Sequence, residues 1–333
     1  MPPMPIRQVP QPPPPDTPPT LLVVIDTEEE FDWGAPFDPT SISVENIAQQ
    51  HLAQDVFDAH GIVPTYAVDY PVATTPASVA VLKPLLDSGR CEVGAHLHPW
   101  VNPPAEEEVS TRHSYACNLP AGLMQRKLEV LRDAITASFG RAPCVYKAGR
   151  YGVGPETAPA LHALGFEADA SVVPHSDFSG DGGPDFRSMP DRPFLTTAEI
   201  AEVPLSVHFV GRAARLGPSV FPLLERMPRL HLPGIFSRLG LLERLRLSPE
   251  GHSFSDMQRQ TEAALARGDR YLVLTYHSSS LMTGGSPFSQ TVSARDRVVH
   301  SLTQYIRYFT GIPHSATTTV SRLATRMRSE VQS

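Results

Sequence analysis

Short apolar runs rich in β-branched residues recur along this chain, each followed by a stretch of helical periodicity, and that alternation limits the possible folds more than any other feature. L-L-V-V-I at 21–25 is continuously apolar, the pattern of a strand covered on both faces in a parallel sheet. Further strands are expected at V-P-T-Y-A-V (63–68), C-E-V-G-A-H (from 91), C-V-Y-K-A-G (from 144), E-A-D-A-S-V (from 167), A-E-V-P-L (from 201) and Y-L-V-L-T-Y (271–276). Helical segments over about 44–60, 77–87, 122–139, 156–164 and 293–310 lie between or after them, several closed by a glycine such as Gly61, Gly140 or Gly165. Such alternation predicts an α/β fold with a parallel sheet and helices outside it. A seven- or eight-stranded (β/α) barrel fits the number of units; a doubly wound open sheet is the alternative that alternation leaves open.

Two segments depart from this pattern. Residues 1–20 are dominated by proline and are expected to be a loose, disordered tail, so the folded domain is taken as 21–333. The stretch at about 212–250, rich in Leu, Phe, Pro and Arg, reads as an inserted helical pair. It is expected to be a satellite covering the barrel, with a lid or a patch for a lipid-linked substrate as the alternative. A net charge of −7 argues against nucleic acid as a partner. Three scattered cysteines exclude a disulfide framework or a cysteine-type zinc site. No apolar run reaches membrane-spanning length and the N-terminus lacks the regions of a secretion signal, so a cytoplasmic setting is expected.

Ligands of α/β proteins sit at the carboxyl ends of the strands, and those ends are loaded here. The first carries Asp26, Thr27 and Glu28; the third His96 and His98; the fourth Lys147, Gly149, Arg150 and Tyr151; the fifth Asp169 and Ser171; the last His277, Ser278 and Ser279. In an extended chain residues i and i+2 share a face, so His96 and His98 project together, as do Asp26 and Glu28. One carboxylate and two imidazoles make three protein ligands with positions left open, the pattern of a catalytic metal site. The second carboxylate can then act as a base, with Arg150 as a cation to lower its pKa and fix it, and His277 as a general acid. Phosphate-binding loops and a nucleophile elbow are ruled out by spacing.

D-T-E after a buried strand, G-A-H-L-H-P-W, G-R-Y-G, D-A-S-V and L-T-Y-H-S-S-S-L-M-T-G-G-S-P-F occur in that order over about 21–288. In this the chain resembles the polysaccharide deacetylase (NodB-homology) family, carbohydrate esterase family four, and in particular its WalW-type branch. The resemblance implies a distorted (β/α) barrel that hydrolyses acetyl groups from N- or O-acetylated sugars with one divalent metal ion, usually Zn2+. By motif position it implies Asp26 as base, Glu28, His96 and His98 as metal ligands, and Arg150 as the residue bracing the base. It further implies Tyr151 as a backbone oxyanion donor, His277 as acid and Asp169 in the motif that tunes the acid. Asp-Thr-Glu stands where the family commonly has Asp-Asp, and the two histidines are two apart rather than four. A carbohydrate or acetylated small molecule is the expected partner, plausibly a nucleotide- or lipid-linked precursor. A non-catalytic carbohydrate-binding relative and an amidase acting on a non-sugar C–N bond are the alternatives.

Overall fold

A computed structural model of the chain describes residues 4–7, 12–14, 16–226 and 231–332. Its strands, in chain order, are β1 (Thr20–Thr27), β2 (Thr65–Val68), β3 (Glu92–Leu97), β4 (Val145–Ala148), β5 (Ala168–Asp169), β6 (Phe194–Leu195), β7 (Ala201–Glu202), β8 (Val207–Val210), β9 (Glu243–Arg246), β10 (Tyr271–His277) and β11 (Ala316–Thr317). Nine of them form one sheet in the order β10-β1-β2-β3-β4-β5-β7-β6, with β11 joined to the start of β1. Every pairing in it is parallel except that of β6 with β7. β1 lies between β10 and β2, and Leu21 to Ile25 are each at most 1% exposed, which explains the unbroken apolar run. Each such side chain contributes roughly 1.5–3 kcal/mol by leaving water.

The sheet curls into a distorted, incompletely closed barrel. Beyond β5 the ladder gives way to single hydrogen bonds: Leu205 N–H to Val172 C=O (2.9 Å), Leu247 N–H to Ser206 C=O (2.9 Å), and Thr275 N–H to Leu247 C=O (3.1 Å). Pro204 offers no N–H at this point, so a regular strand cannot continue through it. The helices lie outside. Ala121–Phe139 packs Leu128, Leu131 and Ile135 inward and ends at Gly140, whose φ of 77° closes the helix in the left-handed region. Two helices, Phe254–Ala266 and Val320–Gln332, were not anticipated from the sequence. Ser253 and Asp256 form a reciprocal cap on the first of them. Among the described residues no helix is long and apolar enough to cross a membrane.

The insertion contains the expected helical pair, Gly217–Glu225 and Leu232–Arg238. It is framed by a feature the sequence reading did not include, the antiparallel hairpin β8–β9. Phe209, Phe221, Leu224 and Leu242 give it a small core of its own; residues 227–230 lie outside the described residues. The expectation of a loose tail throughout 1–20 needs correction at residues 4–7. Met4 is only 3% exposed, Ile6 bridges Thr196, Arg7 N–H donates to Leu195 C=O (2.9 Å), and Arg7 pairs with Glu199 (2.8 Å). The open edge of β6 supplies the backbone partners that a proline-rich segment cannot supply for itself.

Candidate active site

The barrel's carboxyl end holds three lone-pair donors in close approach. His96 and His98, separated by one residue at the end of β3, face the same way, with their Nε2 atoms 3.1 Å apart. Glu28 Oε2 lies 3.4 Å from His96 Nε2 and 3.3 Å from His98 Nε2. His96 Nδ1 is 2.9 Å from the Lys147 carbonyl, which can only accept, so the proton sits on Nδ1 and Nε2 carries the lone pair. His98 is held likewise, its Nδ1 2.7 Å from Glu29 Oε2. Burial, and then the neighbouring His98, hold the His96 pKa well below its ordinary value; burial brings His98 down to about 4. Both rings are therefore neutral. Glu28 Oε1 is buried without a hydrogen-bond partner, and burial together with Glu29, Asp26, Asp69 and Glu250 pushes the Glu28 carboxyl well up. Two facing lone pairs, an orphaned carboxylate oxygen and an excess of buried acid are all relieved by one cation, so a divalent metal fits this cluster.

Behind His98 stands a carboxyl pair. Asp69 Oδ2 accepts from Glu29 N–H (2.6 Å) and Asp69 Oδ1 from Val72 N–H (2.7 Å). Burial raises Glu29 to about 7, and burial plus Glu29 raises Asp69 well above the carboxylate range; Glu29 Oε2, at His98 Nδ1, fixes the ring in one tautomer.

A second constellation adjoins the first. Asp26 and His277 are register partners on β1 and β10, and Asp26 Oδ2 is 3.5 Å from His277 Nε2. Asp26 Oδ1 is bound by the ammonium of Lys147, which also donates to Thr275 Oγ1 (3.0 Å). Burial opposes ionisation of Asp26, but the Lys147 ammonium outweighs it and holds the carboxyl well below the usual range. His277 Nδ1 lies 2.9 Å from Glu250 Oε2, and Glu250 also accepts from His277 N–H (2.9 Å) and Ser280 Oγ–H (2.6 Å). Burial of Glu250 is likewise outweighed by His277 and Ser280, and its carboxyl lies below the ordinary value.

Asp26, Glu28, His96, His98 and His277 line one cavity of about 350 Å³ whose other walls include Phe31, Trp33, Phe37, Tyr115 and Phe178, with Asp32 and Asp181 among its polar residues. Trp33 meets His277 edge-on at 4.7 Å, and Trp100 stacks on His98 at 4.2 Å. Gly149 admits no side chain, since a Cβ there would come within 2.3 Å of His98 Cδ2.

No protein-family model and no curated protein sequence matches the chain. Solved structures do. A Mycobacterium smegmatis protein assigned to the polysaccharide deacetylases aligns over 99% of this chain and 96% of its own, with a TM-score of 0.58 at 16% identity. The chain has the polysaccharide deacetylase fold. Puue allantoinase aligns over 97% of this chain and 95% of its own (TM-score 0.55, 15% identity). A 4-alpha-glucanotransferase from Thermococcus litoralis aligns with 93% of it over 40% of its own length (TM-score 0.53, 11% identity). At such identities the likeness is one of fold, and the activity has to be argued from the site.

Within the deacetylase fold the structure brings together Asp26, Glu28, His96, His98 and His277, with Arg150 and Tyr151 on the same cavity wall. Two sequence-based roles need correction. The cation on Asp26 is Lys147; Arg150 donates to Ser114 Oγ (2.7 Å), approaches Asp181 (3.7 Å) and lies over the Tyr115 ring at 4.2 Å. A φ of 51° at Arg150 begins a left-handed turn that carries this side chain to the Tyr115 side of the cavity. The group orienting His277 is Glu250, whereas Asp169 lies on β5 with Ser171 and Glu202. Signals for the missed residues existed: Lys147 interrupts an otherwise apolar strand, and Glu250 stands alone between Pro249 and Gly251.

Asp169 and Glu202 are buried register partners on β5 and β7, and burial raises both carboxyls. Burial raises Asp169 to about 7. A carboxyl raised in the fold adds stability below its unfolded value, about 3.9, and loses it as pH climbs through the folded value. Asp169→Asn, neutral throughout, therefore gains in melting temperature on the parent as pH rises from about 5 to about 8. Parallel Tm–pH curves for the two proteins would defeat this account.

Proposed function

We propose that this chain is a metal-dependent hydrolase that removes an acetyl group from an N-acetylated or O-acetylated sugar, a glycan or glycan precursor. The observation that carries this reading is the meeting, in one cavity, of an N,N,O donor set with an Asp–His pair whose members have separate supporting partners. Glu28, His96 and His98 would hold the metal, with zinc the ion best suited to them; when bound it supplies Lewis acidity toward the acyl carbonyl and the attacking water. Asp26, kept ionised by Lys147, accepts the proton of that water. His277, its Nδ1 committed to Glu250, presents Nε2 to the departing nitrogen or oxygen and delivers a proton. The backbone N–H of Tyr151, on the left-handed turn with Arg150, is the proposed donor to the oxyanion. The aromatic walls suit the apolar face of a sugar ring. The fold shared with the M. smegmatis protein supports the reading. The likeness to Puue allantoinase favours, as second reading, an amidase acting on a non-sugar C–N bond. A cytoplasmic setting with a nucleotide- or lipid-linked precursor belongs to the first.

The decisive test is acetate release from N-acetylated and O-acetylated sugars before and after chelation. Release that stops with chelator and returns on adding zinc is expected; release indifferent to chelator overturns the proposal. Glu250→Gln, which loses the anion behind His277, lowers kcat by about 10²-fold or more with metal content retained. A kcat within a factor of about two of the parent would remove Glu250 from the mechanism.

A further inference from the structure

We propose that the substrate carries an oxyanion, a phosphate or carboxylate, seated between Arg246 and Arg150, so that this site takes anionic acetylated sugars in preference to neutral ones. The inference deepens the deacetylase reading and rests on it for the acetyl group, though not for the anion.

Arg246 belongs to β9, so the inserted hairpin delivers it into the cavity beside Asp26, Glu28 and His277. Among the described residues its one hydrogen bond is from Nη1 to the Tyr151 hydroxyl (2.7 Å), and it has no carboxylate within ion-pair distance. Its neighbour on the same strand, Arg244, is paired with Glu225 (2.9 Å) and donates to the His175 carbonyl (2.6 Å). The Tyr151 phenol does not balance the charge: burial raises it to about 12, so it stays neutral. Of the cavity's acids, Asp26 is held by Lys147 and Glu28 faces the imidazoles, while Asp32 accepts from Gly34 N–H (2.8 Å); Glu250, behind the wall, is held by His277. A guanidinium has five donors in a planar fork, and leaving most of them unused at a desolvated wall is costly unless an acceptor arrives. Arg150 supplies a second guanidinium on this cavity, held flat over Tyr115 and 5.1 Å from the Phe37 ring centroid. Its nearest carboxylate, Asp181, is 3.7 Å away with a side chain 68% exposed, a weak and displaceable partner. Arg150 and Tyr151 are consecutive non-glycine residues at φ 51° and 59°. Such backbone is energetically unfavourable and persists where it places functional groups. Here it presents one guanidinium to the cavity and a phenol to the other. Two forked cations in an aromatic-walled cavity match a bidentate oxyanion attached to a ring.

The test compares binding to the zinc-loaded protein of N-acetylglucosamine, N-acetylglucosamine 1-phosphate and N-acetylmuramic acid by calorimetry, with acetate release followed in parallel. One of the two anionic ligands is expected to bind about tenfold tighter than the neutral sugar or better; which one distinguishes phosphate from carboxylate. In Arg246→Gln the anionic ligand loses about tenfold more affinity than the neutral one, and Arg246→Lys, which keeps the charge, retains part of the preference. The proposal is overturned if the neutral sugar binds as tightly as both anions, if none of the three binds, or if Arg246→Gln keeps the parent's preference. Arg246-dependent binding of an anionic ligand that releases no acetate would instead sink the deacetylase reading and leave the anion subsite standing.

Discussion

Asp26→Asn is expected to lower the rate of acetate release by about 10²–10⁴-fold while the bound zinc stays at the parent's level. Asparagine keeps the size and one carbonyl oxygen of Asp26, so Lys147 still meets an acceptor, but the group can no longer take a proton. Asp26 is not among the three residues whose donor atoms converge, Glu28, His96 and His98, which is why metal content should not follow the rate. Steady-state kinetics beside elemental analysis decides the matter. Zinc lost in proportion to activity would make Asp26 a ligand, and an unchanged rate would leave the chain a binding protein on an enzyme's fold.

Lys147→Met carries the second large effect. Methionine matches the length of the lysine stem but removes the cation from a buried carboxylate, at a cost of about 3–5 kcal/mol. The pH dependence separates this from a simple packing loss. Asp26 is depressed in the fold, so its ion pair contributes stability above the unfolded value, about 3.9, and that contribution disappears as pH falls through the folded value. In the variant burial acts on Asp26 without Lys147 to oppose it, and the Asp26 pKa rises. The stability deficit is therefore largest near neutrality and shrinks as pH falls, because the variant's Asp26, with its pKa raised, is relieved by taking up a proton while the parent still keeps its pair. The acid limb of the pH–rate profile moves upward, because the base is now protonated at a pH where the parent's is ionised. Denaturant unfolding at about pH 7 and at about pH 4, with the rate profile, measures both. An acid limb that stays in place would mean that Lys147 does not govern the base.

The local part of this site was legible because it is set by the chain's own geometry. Alternation along an extended strand puts His96 beside His98 and Glu28 on the face of Asp26, and no distant residue has to be known for that. The same holds for the parallel sheet, since a run such as Leu21 to Ile25 is stable only where both faces are covered. The supporting groups were not legible, because each depends on which strands meet across the barrel. Lys147 takes the place expected of Arg150 because the end of β4 brings its ammonium to Asp26 at the end of β1, strands 121 residues apart in sequence at this contact. Glu250 replaces Asp169 behind His277 because an irregular segment after β9 passes the end of β10. Met4 and Ile6 dock because the edge of β6 is open. Sequence by itself determined the strand–helix alternation and the faces on which the reactive side chains emerge, both local consequences of backbone periodicity. Tertiary structure alone decided which cation, which carboxylate and which edge each of them meets, because those contacts join segments far apart in the chain.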